Sequence, residues 1–176
     1  MKEKSLAWYR QLVTHRAMER TGDPFPNSSH EHARIVIEAL FSNANRSVKI
    51  LTTGLNRKIY GAPEVLAATK RFLSDEKHTL EILFDQGVDD KILMDHPLVR
   101  ANANKPNLRL YSPPVPLDPR IHFTVADSDS YRVKGDPDRH SAIAAFGDET
   151  LATKLEEAFD WFKANAQVIE PAMASA

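Results

Sequence analysis

Apolar residues return at helical intervals in several stretches of the chain and at alternate positions in shorter ones between them. Leu6, Tyr9, Leu12, Val13 and Ala17 fall near helical spacing over residues 4–20, with Lys4, Arg10, Arg16 and Arg20 around them, which predicts an amphipathic helix. Trp8 and Tyr9 are adjacent, so only one of them can face the core. Thr21-Gly22-Asp23-Pro24-Phe25-Pro26 cannot continue the helix, because proline lacks an amide donor and restricts the residue before it, and it reads as a linker. Ser28 followed by Glu31 has capping-box spacing, and Ala33, Val36, Ile37, Leu40 and Phe41 then predict a second helix over about 29–43.

The period then changes. Val48, Ile50 and Leu51, closed by Thr52-Thr53-Gly54, have the length and punctuation of a buried strand. Pro63 suits a helix's first turn, with Val65, Leu66, Thr69 and Leu73 along one face. Leu80, Ile82 and Phe84, then Leu108 and Leu110, predict two more strands, with a short helix near 89–102 between them. Strands alternating with helices imply right-handed crossovers and a parallel sheet. After Pro113, Pro114, Pro116 and Pro119 the pattern turns hairpin-like: Ile121–Ala126, a turn over 127–130, Tyr131–Lys134 and Ser141–Phe146. Asp148 and Glu149 then start a closing helix carrying Leu151, Leu155, Ala158, Phe159 and Phe162.

The expected fold class is α/β, a mixed sheet of parallel strands plus a C-terminal antiparallel hairpin, flanked by helices. Its expected organisation is an N-terminal helix and linker over 1–27, an α/β domain over 28–170 and a frayed tail over 171–176. The 42% hydrophobic content of 176 residues supports one domain with a real core. With 23 Lys+Arg against 24 Asp+Glu, no global positive field concentrates nucleic acid or an anionic membrane, so such binding needs a local patch. The N-terminal helix is the nearest to one, since Lys2, Lys4, Arg10, Arg16 and Arg20 outnumber Glu3 and Glu19 there. The absence of cysteine excludes a disulfide framework, a thiolate nucleophile and a Cys-ligated metal. No apolar run approaches the ~18 residues a bilayer span needs, and no signal-peptide pattern opens the chain, so a cytoplasmic protein without membrane contact is expected.

Neither GxGxxG nor GxxxxGK[ST] occurs, which argues against the usual nucleotide cradles, and no Gly-x-Ser-x-Gly elbow supports a serine hydrolase. His30-Glu31-His32 looks like a metal pair, but helical positions two apart point to nearly opposite faces, so it reads as solvated polar sequence and no metal or cofactor is expected. His15, His78 and His96 read as surface residues.

His122 is different. It enters the strand Arg120-Ile121-His122-Phe123-Thr124-Val125-Ala126-Asp127, whose alternation sends His122, Thr124 and Ala126 to one face. Here the sequence resembles the phospholipase D-like phosphodiesterase superfamily, whose motif is His-x-Lys-x4-Asp followed by Gly-Ser-x-Asn. The order of elements over residues 29–166 resembles one such module as well. His122 matches the motif histidine and Asp129 the aspartate, whereas Thr124 replaces the lysine, and Gly135-Asp136-Pro137-Asp138 stands near the place of Gly-Ser-x-Asn. Asp129 also reads as an ordinary turn residue beside Asp127.

The resemblance implies two motif histidines meeting across a pseudo-twofold axis, one attacking phosphorus and the other protonating the leaving oxygen, while lysines hold the phosphate oxygens. A chain with one copy must dimerise to assemble that pair. Threonine supplies no positive charge, so any replacement must come from Arg120, Arg132, Lys134 or Arg139, with His140 opening the next strand. The leading expectation is therefore a catalytically degenerate module that binds or senses a ligand through the former active-site surface. Its N-terminal helix is expected to dock on another chain or a second copy. The alternative is a homodimeric, metal-independent phosphodiesterase or nuclease using His122 from each subunit.

Overall fold

The structure is a computed structural model that describes residues 2–135 and 141–171. In chain order its elements are α1 (Lys2–Glu19), β1 (Phe25–Asn27), α2 (His30–Asn43), β2 (Ser47–Thr52), α3 (Arg57–Tyr60), α4 (Pro63–Phe72), β3 (Thr79–Phe84), α5 (Asp90–Met94), α6 (Pro97–Asn102), β4 (Leu108–Ser112), β5 (His122–Ala126), β6 (Ser130–Lys134), β7 (Ala142–Phe146), α7 (Glu149–Lys163) and β8 (Gln167–Ile169). One eight-stranded sheet runs β1-β7-β6-β5-β2-β3-β4-β8. Within it β2, β3 and β4 are parallel, while β5, β6 and β7 form an antiparallel meander joined to β2. The fold is thus the mixed, helix-flanked α/β sheet that the alternation of periods implies.

The sheet is covered on both faces. Ala33, Val36, Ile37, Leu40 and Phe41 put the buried stripe of α2 on one face, where it meets Val48, Ile50, Leu80 and Ile82. On the other, Ala152, Leu155 and Phe159 of α7 cover Leu51, Leu83, Phe123, Val125 and Tyr131. Strand β3 is buried from Leu80 to Phe84, as a central parallel strand should be. Its one charged residue, Glu81, accepts from Tyr111 Oη and Lys163 Nζ, both at 2.9 Å, which satisfies a carboxylate under α7.

Three expectations change. Residues 21–26 are not a free linker: Phe25–Asn27 pair antiparallel with β7, and Gly22 N donates to Phe146 O. Nor is α1 detached, since Tyr9, Val13 and Ala17 lie in the main core while Trp8 is 61% exposed. The cap of α2 is Ser29, not Ser28, its hydroxyl accepting from His32 N. The expected tail beyond 171 lies outside the described residues.

His96 also departs from the surface reading. It is buried, and its Nδ1 accepts from Leu98 N as the cap of α6. Burial, helped by the Arg57 charge, holds this imidazole below its ordinary value. A base depressed in the fold is neutral there, so its contribution is complete above the unfolded value of about 6.5 and is lost as pH falls through the folded one. Thermal melts from pH 8 to pH 5 are therefore expected to lose stability below about pH 6.5 more steeply in the wild type than in His96→Asn, which keeps a capping acceptor without the titration.

Candidate functional site

The parallel strands β2 and β3 end side by side, and the antiparallel β5 begins next to them, so residues 52–54, 85 and 122 converge at one edge of the sheet. The crevice beyond the carboxyl ends of parallel strands is where such folds admit ligands. A cleft of about 330 Å³ opens there, and Leu51, Ile59, Tyr60 and Phe123 form its buried floor.

His122 Nε2 lies 2.7 Å from Asp85 Oδ2, the residue just past β3. The same oxygen accepts from Thr53 Oγ1 at 3.2 Å. Asp85 is pinned through its backbone, its N donating to Thr52 O and its O accepting from Leu117 N. Its side chain is 2% exposed and that of His122 21%, so the carboxylate sits behind the ring and the ring faces the cleft. A carboxylate only accepts, so Nε2 carries the proton toward Asp85, and in the neutral ring the lone pair is at Nδ1. The pair becomes an ion pair when the ring is protonated. Asp85 Oδ1 is buried without a hydrogen-bond partner among the described residues.

Thr124, at the motif lysine's position, is buried and bonded to Tyr60 Oη at 2.8 Å. Directly across the strand pair from Thr124 is Arg132, and across from His122 is Lys134; both line the cleft. Two basic residues of the next strand thus line the cleft at the register of the motif positions. Arg132 Nε donates to Asn27 Oδ1 at 2.9 Å, and among the described residues Arg132 has no carboxylate partner. Burial lowers the guanidinium from its ordinary value while the neighbouring Tyr60 and Tyr9 phenols oppose that shift; it remains a cation. Burial likewise pushes the Tyr9 and Tyr60 phenols up, against the pull of Arg132.

The other candidates part company with this cluster. Asp129 is at the far end of the β5–β6 hairpin, ion-paired with Arg20 and bonded to Ser130 Oγ, so it ties α1 to the hairpin turn and has no place in the cleft. Arg120 is exposed and does not line the cleft. Arg139 and His140 lie outside the described residues. Conversely, Thr53, Asn56 and His30 line the cleft, and Asp85 backs it through His122, without having been singled out for it. Asp85 had a usable signal, an acid at the carboxyl end of a central parallel strand. Its pairing with a histidine 37 residues later had none.

Residues 29–168 match the family described as a domain of unknown function, DUF7931. The chain belongs to that family. No curated protein matches its sequence. Among solved structures, Nuc of Salmonella typhimurium, a phospholipase D family member, shares the fold with a TM-score of 0.56 at 12% identity, over 84% of this chain and 99% of Nuc. NucT from Helicobacter pylori matches with a TM-score of 0.59 at 10% identity, over 84% and 99%. TrmBL2, an archaeal chromatin protein described with a novel mode of DNA binding, matches with a TM-score of 0.58 at 11% identity, over 95% of this chain and 63% of TrmBL2. At these identities the likeness is one of fold, and the fold is that of phospholipase D family members.

Proposed function

We propose that this DUF7931 chain binds the phosphate group of a phosphate ester in the cleft between α2 and the ends of β2 and β5, and works as a binding or sensing module. The observation that carries the reading is Arg132, a half-buried guanidinium on the cleft wall whose only side-chain partner among the described residues is a neutral amide. A cation partly withdrawn from water without a counter-charge is costly, and a planar guanidinium matches the oxygen pairs of phosphate. His122 and Lys134 stand opposite each other on the neighbouring register position and line the same cleft. Each chain contributes one imidazole backed by a carboxylate, whereas phosphoryl transfer through a phosphohistidine uses a second acid to release the leaving oxygen.

A specific observation favours the second reading, a homodimeric phosphodiesterase. The 2.7 Å bond from His122 to Asp85 orients the ring as a base or nucleophile would need, beyond what binding demands. TrmBL2 is described as binding DNA, and nucleic acid is one source of the same phosphate ester chemistry.

Titration with phenyl phosphate, bis(4-nitrophenyl) phosphate and short single-stranded and duplex oligonucleotides separates these. Salt-sensitive binding of at least one probe, with no release of 4-nitrophenolate, is expected. Release that survives EDTA and disappears in His122→Gln transfers the protein to the second reading. Indifference to every probe removes both.

A further inference from the structure

The guanidinium of Arg132 is held from behind. Its Nε donates to Oδ1 of Asn27, the last residue of β1, so the Nε edge of the fork is fixed while the residue lines the cleft. Asn27 is 1% exposed, and its Nδ2 has no hydrogen-bond partner among the described residues. A buried polar atom left unsatisfied costs free energy, so the position carries a cost that packing does not explain. Aspartate would have the same shape, would accept the same bond from Nε, and would lack the unsatisfied donor. It would also neutralise Arg132.

We propose that Asn27 is a positioning residue that aims Arg132 while leaving its charge free for an anionic ligand. The role rests on the reading of the cleft as a phosphate site and extends it to a strand outside the parallel core. An amide can accept from Nε as a carboxylate does, but it puts no negative charge beside the guanidinium. Arg132 then keeps its full attraction for a phosphate or carboxylate oxygen arriving from the cleft, at the expense of an orphaned amide nitrogen. With a carboxylate at 27 the guanidinium would already be paired, and an incoming anion would meet an ion pair and an added repulsion. Among the described residues the carboxylate behind the cleft, Asp85, bonds His122 and Thr53.

The test is a comparison of Asn27→Asp and Asn27→Ala in the full chain, by calorimetric titration with inorganic phosphate and phenyl phosphate and by thermal melting. Asn27→Asp, the isosteric change, is expected to weaken binding about tenfold or more, because it pairs the cation. Asn27→Ala, which loses the aim but not the charge, is expected to weaken it about two- to fivefold. Melting runs in a different order, with Asn27→Asp close to the wild type and Asn27→Ala lower, since only alanine leaves a gap beneath Arg132. A merely structural role predicts that affinity follows melting temperature, with alanine the worse of the two. That order, or an Asn27→Asp that binds as the wild type does, overturns the role of Asn27 while leaving the phosphate reading intact. A wild type that binds neither probe overturns that reading, and the role with it.

Discussion

Deleting residues 1–27 is expected to leave a chain that no longer unfolds cooperatively at the temperature of the full-length protein. Tyr9, Val13, Ala17 and Phe25 are each at most 5% exposed, and Phe25 stacks on Phe146 with ring centroids 6.2 Å apart. Full burial of a large apolar side chain is worth about 1.5–3 kcal/mol, so Tyr9, Val13 and Phe25 together account for about 5–9 kcal/mol. Domains of this kind are stable by about 5–15 kcal/mol in all. The deletion also strips β1 from β7, exposing a strand edge that invites pairing with other chains. Gly147 is shaped for the same contact, since at φ +86 its missing Cβ would lie 2.2 Å from Arg20 O. Circular dichroism melts and size-exclusion chromatography of residues 28–176 check the outcome. A monomeric fragment melting within about 5 °C of the full chain would overturn it.

That segment marks where the sequence stopped being legible. The central elements were readable because their apolar residues repeat at one period long enough to separate helix from strand, as in α2 and α7, or form short buried runs, as in β2 and β3. Strands β1 and β8 have three residues each, too short for any period, and β1 contains Pro26. Proline is tolerated there because β1 is an edge strand. Two prolines and a glycine thus stood both for a chain break and for an edge strand, and only pairing with β7 decides between them. The site divides in the same way. His122 and Thr124 on one face follow from alternation in β5, and Arg132 and Lys134 from alternation in β6, because a hairpin fixes its own register. Asp85 and Asn27 reach the cluster from separate strands, and that proximity is a property of the sheet order alone.

Arg132→Gln is the substitution expected to change ligand binding most. A hydrogen bond to a charged group contributes about 1.5–3 kcal/mol, which corresponds to an affinity loss of roughly 10- to 100-fold for a phosphate ester. Stability should not follow. The wild-type guanidinium is half-buried, has only Asn27 as a hydrogen-bonding side-chain partner among the described residues, and pays a desolvation cost that a neutral amide avoids. The melting temperature of Arg132→Gln is therefore expected to equal or exceed that of the wild type while phosphate affinity collapses. Arg132→Lys restores the charge without the planar fork or the Nε donor, and should recover only part of the affinity. Calorimetric titration with phenyl phosphate alongside thermal melts reads both quantities from one preparation. If Arg132→Gln loses stability and affinity in proportion, Arg132 is a packing residue tying β6 to Asn27 of β1, and the cleft loses the cation on which its phosphate chemistry depends.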